Sequence, residues 1–253
     1  GNLVDSNRIG TTASGSAPLG NSSQGATISG LGSDANDLFA NVVAYNGLEG
    51  VLVQGGSINN SIGAPDDGNQ IYANGGDGIA IRDGSGHRIE GNDLFANDED
   101  EIDLGDDGPT PNDPGDVDTG PNDLQNHPII VSTYTNLSQN MTQVTVSLNS
   151  LSLRDYRVTI YGDTGCEQNG RGSGFALLSL TLQTNAAGIG QGAWLGPAIT
   201  LPRFSASVRD MANGNSSEIG PCFTNVVRLF EDGFEDPFPN RASNSSGQDA
   251  TAE

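Results

Sequence analysis

A six-residue motif recurs along the first half of the chain, and this recurrence constrains the fold more than any other feature. NDLFAN occupies positions 36–41 and again 92–97, and the variant NQIYAN occupies positions 69–74. Each copy is followed by a glycine-rich or acidic turn and then by a short alternating strand. Self-similarity of this kind indicates a structural unit that is stacked several times, because one unit of this size cannot bury its own apolar face.

The strands that follow the motifs begin 28 and then 23 residues apart, at 50–53, 78–81 and 101–104. That spacing suits one turn of a coiled parallel sheet and is too short for units that also contain a full helix. Apolar residues two apart in each strand should point into a common core. The expected core residues are Val51, Val53, Ile79, Ile81, Ile102 and Leu104. Asparagines at equivalent corners can form amide ladders, and the expected members are Asn41, Asn74 and Asn97.

Four segments resemble one known family: 7–11, 74–81, 103–130 and 208–222. They are similar to secreted bacterial right-handed parallel β-helix repeat proteins that carry a C-terminal immunoglobulin-like domain. The resemblance implies an all-β chain, with a right-handed parallel β-helix followed by an antiparallel immunoglobulin-like β-sandwich. It implies much less about activity, because that family includes pectate-lyase-like enzymes as well as adhesive or structural members.

The charge composition shifts near His127 and Pro128. Residues 1–128 contain 21 acidic residues and three arginines, whereas the remaining chain contains 11 acidic residues and seven arginines. Longer alternating strands follow, as in an antiparallel sandwich. We expect β-helix coils over 1–128 as the last part of a longer solenoid, a sandwich over 129–230, and a terminal motif with a flexible tail over 231–253.

The chain is strongly acidic, with 32 acidic residues against 10 basic ones. This charge argues against nucleic acid as a partner. It would also repel anionic lipid and acidic polysaccharide unless divalent cations bridge the surfaces. A polysaccharide or a host surface is the expected partner besides a second copy of the chain. No apolar run reaches the roughly 20 residues of a membrane-spanning helix, so no transmembrane segment is expected.

The chain has two cysteines, Cys166 and Cys222, which lie 56 residues apart. The spacing fits neither a compact zinc motif nor a redox pair. One disulfide is the favoured interpretation, and it implies an oxidising, extracellular location. Two free buried thiols are the alternative, because cysteine is often buried even when unpaired.

The densest group of ligand-type side chains lies between residues 98 and 123, where eleven acidic residues occur without a basic one. Alternating aspartates among glycines are typical of oxygen-rich loops that bind Ca²⁺. The predicted ligands are Asp106, Asp107, Asp113, Asp116 and Asp118. The alternative is a solvated acidic loop, since the spacing of an EF-hand is missing.

An enzyme of the β-helix type would need either Ca²⁺ with a basic residue or two carboxylates about 6.5–9.5 Å apart. Arg82 and Arg88 are the candidates for the base. The candidate carboxylates, with His87 nearby, are Asp77, Asp83, Asp100 and Asp103. Two of these, Asp77 and Asp83, stand in glycine-rich turns, where turn formation alone accounts for them.

These observations favour a non-catalytic extracellular scaffold or adhesin of a Gram-negative bacterium, acidic and stabilised by Ca²⁺, and no catalytic residue is assigned. The alternative is a polysaccharide lyase or glycoside hydrolase of the β-helix type. The first coil begins without a cap, so its strands present an open amino-terminal edge. Either upstream coils cover that edge, or a second copy pairs there and gives a head-to-tail filament.

Overall fold

Twelve short strands between residues 3 and 104 form three parallel sheets. The computed structural model describes residues 1–15 and 17–228, and the predicted tail at 231–253 lies outside them. The chain passes through the three sheets in the same order four times, and we call each passage a coil. The strands, three per coil, are β1 (Leu3–Asp5), β2 (Arg8–Ile9), β3 (Ala26–Ser29); β4 (Asp37–Phe39), β5 (Val42–Ala44), β6 (Val51–Gln54); β7 (Ser61–Ile62), β8 (Gln70–Tyr72), β9 (Ile79–Ile81); and β10 (Arg88–Ile89), β11 (Asp93–Phe95), β12 (Ile102–Leu104).

Equivalent strands of successive coils lie side by side. Sheet 1 has the order β1-β4-β7-β10, sheet 2 has β2-β5-β8-β11, and sheet 3 has β3-β6-β9-β12. In sheet 3 the six predicted core residues form two rows in register, each with one residue from β6, β9 and β12. All six are at most 3% exposed and belong to one apolar core. The chain is all-β, and these parallel sheets fit a β-helix.

Asparagines connect the coils at the three corners before the sheets, and those of the second to fourth coils are buried. Each asparagine that is followed by another in its ladder donates from its backbone N–H and its Nδ2 to the Oδ1 of the asparagine one coil later, over 2.8–3.2 Å. Five of the amides also donate to a strand carbonyl of the preceding coil. The three ladders are Asn2–Asn36–Asn60, Asn7–Asn41–Asn69–Asn92 and Asn21–Asn46–Asn74–Asn97.

The repeated motif does not mark equivalent corners, contrary to the sequence prediction. Asn41 belongs to the second ladder, whereas Asn74 and Asn97 belong to the third. The first NDLFAN supplies strand β4 of sheet 1, and the identical second copy supplies strand β11 of sheet 2. Because the motif is one short strand between two asparagine corners, the same six residues fit either sheet.

The first ladder ends in a histidine. His87 Nδ1 lies 3.4 Å from both the backbone nitrogen and Nδ2 of Asn60, where it takes the place of an asparagine Oδ1. The backbone N–H of His87 donates to Asn122 Oδ1 over 2.9 Å, so Asn122 takes the next position of the ladder, beyond the fourth coil. A ring nitrogen that accepts a hydrogen bond must be unprotonated, and burial lowers the pKa of His87.

The chain changes from parallel to antiparallel pairing between Leu104 and Ile129, a stretch that includes the 3₁₀ turn Pro121–Leu124. The later strands are β13 (Ile129–Asn136), β14 (Met141–Asn149), β15 (Asp155–Asp163), β16 (Phe175–Gln183), β17 (Ile189–Gly196), β18 (Arg203–Asp210), β19 (Phe223–Thr224) and β20 (Val227–Arg228). They form sheet 4, β17-β14-β13-β20, and sheet 5, β16-β15-β18-β19. Buried residues of both sheets share a second apolar core.

The two-sheet unit covers the end of the fourth coil. Leu94 and Gly174 exchange backbone hydrogen bonds of 2.9 and 2.5 Å. The Leu104 N–H donates to Glu218 Oε1 over 3.2 Å, and Ile219 joins the core of the coils. These groups satisfy backbone donors and acceptors for which a fifth coil would otherwise be needed.

The predicted disulfide is confirmed. It joins Cys166, in the loop after β15, to Cys222, which directly precedes β19. Loop closure over this separation stabilises a chain by about 4 kcal/mol in the entropy model. The helical turn at Pro121–Leu124 is far too short to cross a membrane, and the part of the chain that the structure describes has no helix that could do so.

The histidine in the ladder predicts a pH dependence. Because burial lowers the folded-state pKa of His87, the folded ring stays neutral while the unfolded chain takes up a proton below about pH 6.5. The stability that neutral His87 contributes is therefore present above pH 6.5 and is lost as the pH falls. We expect His87→Asn, which restores a ladder amide, to gain stability relative to the wild type between about pH 7 and pH 5. Urea unfolding at several pH values measures this, and a free-energy difference that does not change with pH would contradict it.

Candidate metal centres

Three of the five predicted Ca²⁺ ligands lie together, and we call them the outer group. One carboxylate oxygen from each of Asp113, Asp116 and Asp118 lies within 4.8 Å of the others. The group belongs to the loop that runs from the last coil to the turn at Pro121. The arrangement could hold a metal ion, although the oxygens themselves do not specify Ca²⁺.

Hydrogen bonds already hold Asp116 in the outer group. Its Oδ1 accepts from the Asn126 N–H over 2.8 Å, and its Oδ2 accepts from Gln125 Nε2 over 2.6 Å and from the hydroxyl of Ser150. Burial raises the pKa of Asp116. Asp118 differs, because its Oδ1 is buried and has no partner among the described residues. Asp116 therefore anchors the loop, and Asp118 is the group with free ligand capacity.

The other two predicted ligands, Asp106 and Asp107, lie outside this group. Asp106 forms an ion pair with Arg82. The strand register brings these two residues together, because Ile81 pairs with Leu104 and the residues just after β9 and β12 are therefore neighbours. Asp107 lies beside Asp106 at the rim of a different cleft.

Arg82 is a poor candidate for a catalytic base. Its guanidinium donates to Glu49 Oε1 over 3.0 Å, to Gln54 Oε1 over 3.2 Å and to Asp106. The hydrogen bond and charge of Asp106, with the charge of Glu49, raise the pKa of Arg82. A base needs the opposite shift, because it must lose its proton near neutral pH.

A second acidic group lies inside the fold, and we call it the buried group. One carboxylate oxygen from each of Asp77, Asp100 and Asp103 lies within 4.8 Å of the others, and all three residues are at least nine-tenths buried. Asp77 and Asp100 lie at the same corner of successive coils. The backbone N–H of Gly78, the residue after Asp77, donates to the carbonyl of Asp100. Asp103 lies in the middle of β12.

The sequence contained a signal for this group. Glu49, Asp77 and Asp100 are spaced 28 and 23 residues apart, which is the same spacing as the strands that follow them. A parallel stack brings residues at equivalent positions to within about 5 Å of one another. This acidic periodicity matches the apolar periodicity of the strands and therefore predicts that the three carboxylates share one corner of the stack.

Backbone and amide donors orient the carboxylates of the buried group. Asp77 Oδ1 accepts from the Asp100 N–H over 2.8 Å, and Asp100 Oδ1 accepts from Asn169 Nδ2 over 2.6 Å. Asp103 accepts from the Asp106 N–H over 2.9 Å and from the Gly108 N–H over 2.7 Å. Burial raises the pKa of all three, and that of Asp77 reaches about 8.

One oxygen from each carboxylate of the buried group lies within 4.8 Å of the others, so these three candidate carboxylates form one cluster. An inverting hydrolase instead holds two carboxyl groups about 6.5–9.5 Å apart with a water between them. Asp83 accepts hydrogen bonds of 2.9 and 2.7 Å from the backbone amides of Gly55 and Gly56 and so anchors a turn. His87 serves in the first ladder.

Neither the protein-family models nor the curated proteins that were searched contain a match to this chain.

Proposed function

We propose that the chain is a non-catalytic extracellular scaffold or adhesin, built from a right-handed parallel β-helix and an immunoglobulin-like sandwich. The observation that carries this proposal is that the polar side chains of the coils bond to one another and to the backbone. The asparagines pair with one another, Asp83 and Asp103 hold turns, and Arg82 is held by acidic neighbours. These side chains make their hydrogen bonds and ion pairs within the fold, as is expected of a scaffold.

The aromatic residues on the coils support the same proposal. Tyr45, Tyr72, Phe95 and Phe175 form a continuous row with ring centroids 5.0–5.5 Å apart. The rings of Tyr72 and Phe95 are nearly parallel, at 6°, so each covers a face of the other. A sugar stacks on an exposed ring face, and this row offers few of them. The row instead connects the second, third and fourth coils to the start of β16.

Ca²⁺ is the proposed ligand of the outer group, with Asp118 as its free carboxylate. The formal net charge of −22 would keep an anionic polysaccharide or host surface at a distance. Divalent cations on an acidic loop reduce that repulsion. We therefore propose that the protein attaches to such a surface in the presence of Ca²⁺.

Self-association through the first coil is also proposed. Strands β1, β2 and β3 each pair with one neighbouring strand, and the Oδ1 atoms of Asn2, Asn7 and Asn21 accept no hydrogen bond from any described residue. Since the two-sheet unit, which we propose is the sandwich, covers the other end of the coils, a second copy would pair here through one of its own edge strands. Sedimentation velocity should show association that increases with concentration, and a single monomeric species throughout would contradict it.

Incubation with acidic and neutral polysaccharides tests the central proposal. We expect the wild type to release no new reducing or unsaturated chain ends, with or without Ca²⁺. Arg82→Ala and Asp100→Asn serve as matched variants of the candidate catalytic groups and should be indistinguishable from the wild type. Product release by the wild type that either variant abolishes would overturn the scaffold proposal in favour of a lyase or hydrolase.

A further inference from the structure

We propose that Asp77, Asp100 and Asp103 bind one divalent cation of the size of Ca²⁺, where the third and fourth coils meet the sandwich. This site is separate from the outer group and shares no residue with it. The described residues form five ion pairs, and none of them includes Asp77, Asp100 or Asp103.

The two neighbouring arginines form their ion pairs with other acidic residues. Arg82 is engaged by Glu49 on one side and by Asp106 on the other. Arg171, whose charge lowers the pKa of Asp100, pairs with Glu218. The three buried carboxylates therefore share a site whose flanking arginines are already paired with other acidic residues.

An unsatisfied oxygen points to a ligand. Asp77 is 1% exposed, and its Oδ2 has no hydrogen-bond partner among the described residues. A carboxylate oxygen that is removed from water without a donor is strongly unfavourable, so such groups usually face a cation or a hydrogen bond. The Asp77 Oδ1 is already held by the Asp100 N–H, and this leaves Oδ2 as the free ligand.

The space at the site suits a hydrated ion. Asp77, Asp100 and Asp103 line a cleft of about 310 Å³ together with Glu99, Asp106, Asp107 and Gly108. Ca²⁺ takes six to eight oxygens at about 2.3–2.6 Å, so its ligands can lie up to about 5 Å apart. Three carboxylate oxygens within 4.8 Å meet that condition. Water in the cleft and the exposed Glu99 can complete the shell.

The donors around the group serve the role of a second coordination shell. The Asp100 N–H, Asn169 Nδ2 and the Gly108 N–H each fix the orientation of one carboxylate. Asn169 belongs to the loop that the disulfide closes, between Cys166 and β16. A bound cation would therefore link two coils to the sandwich unit and stabilise their junction.

Equilibrium dialysis of the full chain against Ca²⁺ or Mg²⁺ alone, followed by elemental analysis, counts the bound ions. Thermal unfolding in Ca²⁺ and in chelator measures their effect. Asp77→Asn is the principal variant, because its amide keeps the acceptor for the Asp100 N–H. Asp98→Asn is the matched control, since it removes the same charge from an exposed residue nearby. Asp118→Asn reports on the outer group.

We expect Asp77→Asn to bind one Ca²⁺ fewer than the wild type and to lose most of the Ca²⁺-induced rise in melting temperature. In chelator it should melt at or above the wild-type temperature, because it buries no carboxylate charge; a purely structural role for Asp77 predicts a lower melting temperature in both conditions. Asp98→Asn should behave as the wild type.

An unchanged ion count in Asp77→Asn, no Ca²⁺ bound to the wild type, or tighter binding of Mg²⁺ than of Ca²⁺ would each overturn the inference. Loss of an ion in Asp118→Asn alone would reject the buried site and leave the outer one. Loss of an ion in Asp77→Asn alone would support the buried site and reject the outer one. If Asp77→Asn fails to fold, Asp100→Asn provides the same comparison, because its amide oxygen can still accept from Asn169.

Discussion

The pairing of buried amides at the coil corners is the constraint on which the rest of the structure depends. At most corners a left-handed residue precedes the ladder asparagine, and at four of them this residue is an alanine, with φ of 52–58° at Ala35, Ala40, Ala73 and Ala96. A left-handed alanine costs roughly 1–2 kcal/mol. The hydrogen bonds of the following asparagine offset this strain, because they satisfy backbone amides that the corner would otherwise leave unpaired.

A stack held in this way must also end somewhere, and its last coil exposes the same groups as every other coil. Asn122 and Glu218 accept from the fourth coil, and Ile219 closes its core.

The stacking also has an electrostatic consequence. Any acidic residue repeated at one corner becomes part of a column with spacing of about 5 Å, as Glu49, Asp77 and Asp100 do. Arg82 forms an ion pair with Glu49 in that column, whereas Asp77 and Asp100 form none with a described residue.

The sequence was sufficient for the features that depend on local periodicity. Alternation of apolar residues identified the core rows of sheet 3, and the isolated cysteines indicated their disulfide. It failed where the answer depends on register between distant residues. Identical NDLFAN segments lie in different sheets because coil lengths vary, and Asp106 leaves the outer group because β9 and β12 align it with Arg82. The density of acidic residues along the chain indicated the acidic loop. The carboxylates of the buried group are separated in sequence and come together only when the coils stack.

The most direct test of the ladder account is equilibrium unfolding of Asn69→Ala beside Asn7→Ala. Asn69 is buried in mid-ladder, and its loss leaves both donors of Asn41 without an acceptor. Asn7 belongs to the same ladder but is exposed, so water can replace its contacts. We expect Asn69→Ala to lower the unfolding free energy by about 2–4 kcal/mol and Asn7→Ala by less than about 1 kcal/mol. Equal losses in the two variants would contradict the claim that buried amide pairing holds the coils together.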